Sequence, residues 1–124
     1  DGSVRVVMES SSGLAESLVV EKLLVAVGRA PVTDGLGAED VGLTLDRGYI
    51  VVDDMFRTNV PGICAIGDVI TMGRGSHPQL AHVSSAEGAR LAERIAGQEM
   101  AVIDYDQVPA CTYGEPERGS GGLT

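Results

Sequence analysis

A chain of 124 residues that is 44% hydrophobic, with a mean hydropathy of +0.13, is long and apolar enough for one folded domain and is not a disordered segment. Nine basic against eighteen acidic residues leave a net charge of −9, a surface that repels phosphate backbones and argues against nucleic acid as a partner. The longest apolar runs, residues 23–27 and 63–66, fall far short of the roughly 20 residues a helix needs to cross a bilayer, so no membrane partner is expected. With three Tyr, one Phe and no Trp, the core is left to aliphatic side chains, while 17 Gly imply many turns or close backbone approaches. That combination suits an α/β nucleotide binder.

Two β-rich runs, Val4–Glu9 and residues 14–20, flank a Ser/Gly loop, the pattern of an antiparallel hairpin. Residues 22–27 read as a near-continuous apolar strand buried on both faces, stopped by Gly28-Arg29-Ala30-Pro31, and that stop is expected to mark a domain edge. Residues 38–42 predict a single helical turn. Residues 43–45 and 50–52 flank Asp46-Arg47-Gly48, which predicts a small hairpin with a three-residue loop and Gly in a left-handed position. Val60-Pro61-Gly62 fits a type II turn that launches the apolar run 63–66, expected to be a buried strand ending on Gly67-Asp68. After a flexible stretch over 71–76, a helix is predicted over roughly 81–96. Glu87, Arg90 and Arg94 are expected on one side of it, Gly88, Leu91, Ala92 and Ile95 on the other, with Gly97 as its C-cap. A new segment starts at Tyr105, with a strand at 110–113 and then a glycine-rich stretch, 114–122, with too few apolar residues to anchor anything.

Cys64 and Cys111 show neither redox nor zinc spacing and read as two reduced, partly buried thiols, a disulfide being the alternative. A strand ending in Gly-Asp has a physical use. In open parallel sheets ligands bind beyond the carboxyl ends of the strands, where Gly admits close approach and a carboxylate accepts hydrogen bonds from sugar-like hydroxyls. Asp68 is so placed, although a bare Gly-Asp pair also serves as a simple turn cap. Glu87, Arg90, Glu93 and Arg94 read as a solvated helix face, His77 as a solvated loop residue, and Arg29 as a surface charge or a dinucleotide neighbour.

The segments 27–31, 58–68, 78–82 and Glu87-Gly88 occur in one order and at one spacing, and in this they resemble the flavin-dependent pyridine nucleotide-disulfide oxidoreductase family. Leu80-Ala81-His82 tilts the resemblance toward its dihydrolipoyl dehydrogenase branch over the mercuric and glutathione reductases, and a mercuric, glutathione or transhydrogenase-type reductase is the alternative within the family. Residues 105–109 and Pro116-Glu117 resemble the opening of that branch's interface domain. The resemblance implies an incomplete α/β fold of the FAD/NAD(P)-binding Rossmann-like (doubly wound) kind with hairpin elements. Residues 1–27 would end the NAD-binding domain, 28–104 would form the carboxyl half of the FAD-binding domain, and 105–124 would begin the dimerisation domain.

It also implies the cofactors FAD and NAD. Asp68, after Gly67, matches the acid that hydrogen-bonds the ribityl chain of FAD; Gln79, Leu80, Ala81 and His82 match the segment whose backbone meets the isoalloxazine ring; Gly28 matches a glycine beside bound NAD. A helix start near Ala81 agrees with this, because its free N–H groups and partial positive charge favour the charge a flavin gathers on reduction. His82 is given a positional role there, not proton transfer.

No catalytic or metal-binding residue is expected in this span. The family's Gly-rich fingerprints, redox cysteine pair and His-Glu pair are not in it, so it reads as an internal, inactive piece of a longer enzyme. That enzyme is expected to be a homodimer that serves the lipoyl domain of a 2-oxo-acid dehydrogenase complex, in a bacterial cytoplasm or a mitochondrial matrix. The competing class is a non-enzymatic nucleotide-binding remnant. At the end of the chain, Arg118, Gly119 and Gly121 stand where the family has small or apolar residues, which weakens a strand there.

Overall fold

The computed structural model describes residues 2–74 and 77–122. Strands β1 (Val4–Glu9) and β2 (Ala15–Val20) form the expected antiparallel hairpin, in register from Val4↔Val20 to Glu9↔Ala15. The apolar run that follows is not a strand. Leu24 and Val27 are 87% and 92% exposed, because a strand buried on both faces needs a neighbour to pair with, and among the described residues none lies beside it.

The central sheet has three short strands, β3 (Leu45–Asp46), β4 (Tyr49–Val51) and β5 (Ile70–Thr71). The β3–β4 loop has two residues rather than three: Arg47 and Gly48 both take positive φ, 50° and 85°, as a tight turn matched to strand twist requires. Parallel pairing of β4 with β5 aligns Ile50 with Ile70 and Val51 with Thr71. Thr71, expected in a flexible stretch, is therefore buried in a strand, while Gly75 and Ser76 of that stretch lie outside the described residues.

Ile50, Val52, Phe56 and Ile70 make the core, with Ile66, Leu91 and Ile103 packed against it. Phe56 is 1% exposed despite φ of 59°. The left-handed conformation costs about 1–2 kcal/mol and full burial of the ring gains about 1.5–3 kcal/mol, so burial decides the backbone.

Val60-Pro61-Gly62 turns as expected, with Gly62 at φ 85° and the Ile63 N–H donating to the Val60 carbonyl at 3.1 Å. The following run, 63–66, is half-buried and not a laddered strand: Arg57↔Cys64 is an isolated bridge. It leads into a tight turn of 3₁₀ type, Gly67–Val69.

Helix α1 (Ala81–Ile95) closes on a Schellman motif, in which Gly97 at φ 79° donates to the Arg94 carbonyl and Gln98 to that of Glu93. Its packed face differs from expectation. Val83 and Glu87 are buried and Leu91 meets the core, whereas Ile95 is 75% exposed and Ala92 is also exposed. Gly88 lets the helix approach closely, since a Cβ there would stand 3.4 Å from Ile66 Cδ1.

Strands β6 (Ala110–Thr112) and β7 (Arg118–Ser120) form a third hairpin, which is fully exposed. The glycine-rich end thus contributes a strand that its composition did not predict; Leu123 and Thr124 lie outside the described residues. The described elements make an incomplete α/β arrangement.

Candidate functional site

The turn at Gly67-Asp68 is built by three constraints. Gly67 takes φ of 80°, and a Cβ at this position would meet Ser84 Oγ of α1 at 3.3 Å, so the chain crosses the helix start at a distance only glycine permits without displacement. Its N–H donates to Glu87 Oε2 at 2.7 Å. Its carbonyl accepts from the Ile70 N–H, closing the turn into β5. Asp68 then stands exposed, its carboxylate without a hydrogen bond among the described residues. It is free to accept from a ligand.

Gln79 links this turn to its surroundings, its Nε2 donating to the Asp68 carbonyl and the Tyr49 hydroxyl at 3.4 and 3.3 Å. Gln79 and Gly28, which takes φ of 110°, line one open cavity of about 600 Å³ together with Arg29 and Tyr49. Leu80 is the N-cap of α1 and supplies no side-chain cap; no acidic side chain stands in the first turn. The N–H groups of Ala81 and His82 therefore open the helix with no carbonyl of their own helix to receive them. His82 is exposed and donates from Nε2 to the Pro109 carbonyl at 2.9 Å, holding the segment that leads into β6. The structure thus brings Gly67, Asp68, Gln79, Leu80 and Ala81 around the start of α1, with Gly28 lining the same cavity as Gln79.

Two expectations about charge are overturned. Glu87 is not on a solvated face: it is wholly buried, and besides Gly67 it accepts from His77 Nε2 at 2.6 Å and the Tyr105 hydroxyl at 2.7 Å, both on Oε1. His77 is likewise not solvated, its side chain being 6% exposed. A carboxylate has no proton to give, so Nε2 of His77 carries the hydrogen. His77 Nδ1 is buried without a partner among the described residues.

Burial pushes the Glu87 carboxyl up, but hydrogen bonds from His77, Tyr105 and Gly67 and the attraction of His77 outweigh it and hold the group below the usual 4.5. Burial, followed by the bond to Glu87 and that residue's charge, holds the Tyr105 phenol well above 10.0. A sequence signal for this cluster existed. Val83, Glu87 and Leu91 share one helical stripe, and an acid on an apolar stripe must find donors or stay neutral.

Arg94 is also half-buried, donating to the Met55 carbonyl at 2.6 Å and lying 3.2 Å from Cys64 Sγ. Cys64 is half-buried and Cys111 exposed, and both are free thiols. Among the described residues no cluster of three or more His, Cys, Asp or Glu could hold a metal ion, and no helix is long and apolar enough to cross a membrane.

Residues 2–88 match the profile of a family described as pyridine nucleotide-disulphide oxidoreductase. Dihydrolipoyl dehydrogenase of Cupriavidus necator is 50% identical over 115 residues, covering 92% of this chain and 23% of that protein. Its counterpart in Haloferax volcanii is 43% identical over 125 residues, covering 100% of this chain and 25% of that protein. The crystal structure of LpdA from Mycobacterium tuberculosis superposes with a TM-score of 0.74 at 31% identity, over 94% of this chain and 24% of that one. The α/β arrangement is therefore a partial Rossmann-like fold. The chain spans about a quarter of the length of the curated relatives it matches.

Proposed function

The chain belongs to the pyridine nucleotide-disulphide oxidoreductase family, and on that premise we propose that it is the flavin-binding portion of a dihydrolipoyl dehydrogenase. The observation that carries this reading is the exposed Asp68 carboxylate on the Gly67 turn, without a hydrogen bond among the described residues, next to a helix start without a side-chain cap. That donor and acceptor set fits FAD. Asp68 accepts from the ribityl hydroxyls, and the backbone from Gln79 to His82 meets the isoalloxazine ring, where the open N–H groups of α1 favour negative charge. His82 keeps the helix start in place through Pro109. Gly28, which lines the same cavity as Gln79, stands beside the pyridine nucleotide, NAD. FAD, when bound, supplies two-electron redox chemistry. The residues of this chain bind and orient it and carry no catalytic proton.

In this reading residues 1–27 close an NAD-binding domain, 28–104 complete an FAD-binding domain, and 105–124 open an interface domain. The complete protein oxidises dihydrolipoyl groups carried on a lipoyl domain of a 2-oxo-acid dehydrogenase complex, reduces NAD, and works as a homodimer in a bacterial cytoplasm or a mitochondrial matrix. The exposed surface supports a part of a larger fold: it amounts to 9563 Å², where a compact monomer of the same mass exposes roughly 6,300 Å². Large apolar side chains are among what is exposed, as at Leu24, Val25 and Val27.

The test is Asp68→Ala in the complete protein. Hydrogen bonds to a charged group contribute about 1.5–3 kcal/mol, so FAD affinity is expected to fall roughly ten- to a hundredfold. An Asp68→Ala protein that keeps FAD through dialysis as tightly as the unmodified one makes Asp68 a turn residue only.

A further inference from the structure

We infer that Glu87 is the positioning residue for Asp68, holding the Gly67-Asp68 turn in the geometry that receives FAD through the hydrogen bond between its Oε2 and the Gly67 N–H, while His77 and Tyr105 fix its Oε1. This rests on the reading of Asp68 as a flavin ligand and extends it to a residue 20 positions away that does not touch the cofactor.

The argument begins with cost. Position 87 lies on the packed stripe of α1 between Val83 and Leu91, where an aliphatic side chain would fill the space with no charge to compensate. A wholly buried carboxylate is tolerated only if donors surround it. Here three do, from three separate parts of the chain: the Gly67 N–H at 2.7 Å, His77 Nε2 at 2.6 Å and the Tyr105 hydroxyl at 2.7 Å.

What requires an acceptor at this point is Gly67. Its left-handed φ of 80° takes its N–H out of any strand ladder, and the group is buried, so an acceptor must come from a side chain. Asp68 follows directly, is exposed, and its carboxylate has no hydrogen bond among the described residues to fix it, so its position is that of the turn. The other side-chain tie on the turn, from Gln79 to the Asp68 carbonyl, is long at 3.4 Å. The orientation of Asp68 therefore depends on Glu87, and through Oε1 on His77 before the helix and Tyr105 beyond it.

The experiment is a double-mutant cycle in the complete protein, with FAD affinity read by flavin fluorescence in four proteins: unmodified, Asp68→Ala, Glu87→Ala and both together. A residue that acts through Asp68 loses its effect once Asp68 is gone. Glu87→Ala is expected to weaken FAD binding about tenfold when Asp68 is present and less than about twofold when Asp68 is already Ala. Should Glu87→Ala fail to fold, Tyr105→Phe removes one donor to Oε1 and keeps the packing, and the cycle with Asp68→Ala is expected to show the same dependence. Equal losses in both backgrounds overturn the inference and leave Glu87 a structural residue. If Asp68→Ala by itself binds FAD like the unmodified protein, the reading of Asp68 as a ligand fails, and this inference with it.

Discussion

Replacing Gly67 by Ala tests the tightest point of the site, and Gly97 supplies the control. Both glycines take nearly the same left-handed conformation, φ of 80° and 79°. An L-residue there costs about 1–2 kcal/mol, so this contribution should be common to Gly67→Ala and Gly97→Ala. The surroundings differ. A Cβ at Gly97 meets nothing within 4 Å, whereas one at Gly67 meets Ser84 Oγ at 3.3 Å and Ser84 Cβ at 3.6 Å. The helix or the turn must yield there by a few tenths of an ångström. The movement strains the N–H bond to Glu87 at 2.7 Å, and a hydrogen bond to a charged group contributes about 1.5–3 kcal/mol. If that bond is lost, Gly67→Ala costs about 2.5–5 kcal/mol and Gly97→Ala about 1–2 kcal/mol. Urea unfolding followed by circular dichroism, together with FAD affinity, reads both variants: Gly67→Ala is expected to lower both stability and FAD affinity, and Gly97→Ala stability alone. Equal losses of stability, with FAD affinity unchanged in both, would refute the claim that the close crossing and the Glu87 bond shape the turn.

Glu87 has its carboxyl held below 4.5 in the fold, so its contribution to stability is complete above that pH and is lost as pH falls through the depressed value. Glu87→Gln should accordingly flatten the acid limb of a stability-versus-pH curve, and an unchanged limb would contradict the cluster. For Tyr105 the sign is opposite: its phenol is held above 10.0, so its contribution is complete below that pH and lost as pH rises, and Tyr105→Phe should flatten the alkaline limb. Ala81→Pro should fold normally, because Ala81 is the first helical residue and Leu80 before it already has the extended backbone, φ −129° and ψ 134°, that a following proline favours. With one N–H lost at the helix start, about 1 kcal/mol over two electrons, the flavin midpoint potential should become more negative by on the order of 20 mV; a spectroelectrochemical titration with no shift and FAD still bound would detach the helix from the flavin. The 124-residue chain alone, supplied with FAD, should show no dihydrolipoamide:NAD activity, and turnover above blank would overturn its reading as a binding portion.

The parts legible in the sequence are those decided by neighbours along the chain. The β1–β2 hairpin follows from two β-rich runs around a Ser/Gly loop, the turn at 60–63 from Pro and Gly in the places that turn requires, and the end of α1 from Gly97. The turn at Gly67-Asp68 and the start of α1 at Ala81 are legible for the same reason, since a strand-like run, a Gly-Asp and a helix follow in succession. What was misread depends on distant partners. Charge alone puts Glu87 on a solvated face, but its place is between Val83 and Leu91, and its donors come from twenty and ten residues before it and eighteen after. Residues 22–27 were read as a buried strand because their composition is that of one, but pairing is a property of neighbours, and none stands beside them among the described residues. Thr71 falls in the stretch expected to be flexible, although its register with Val51 buries it.

The most direct measurement is a crystal structure of the complete protein with FAD bound. The account predicts a carboxylate oxygen of Asp68 within about 2.5–3.0 Å of a ribityl hydroxyl, hydrogen-bond distance for an O–H donor, and the isoalloxazine ring against the backbone from Gln79 to His82, with Glu87 still accepting from the Gly67 N–H. A flavin bound elsewhere, with Asp68 facing solvent and the start of α1 unoccupied, would contradict it.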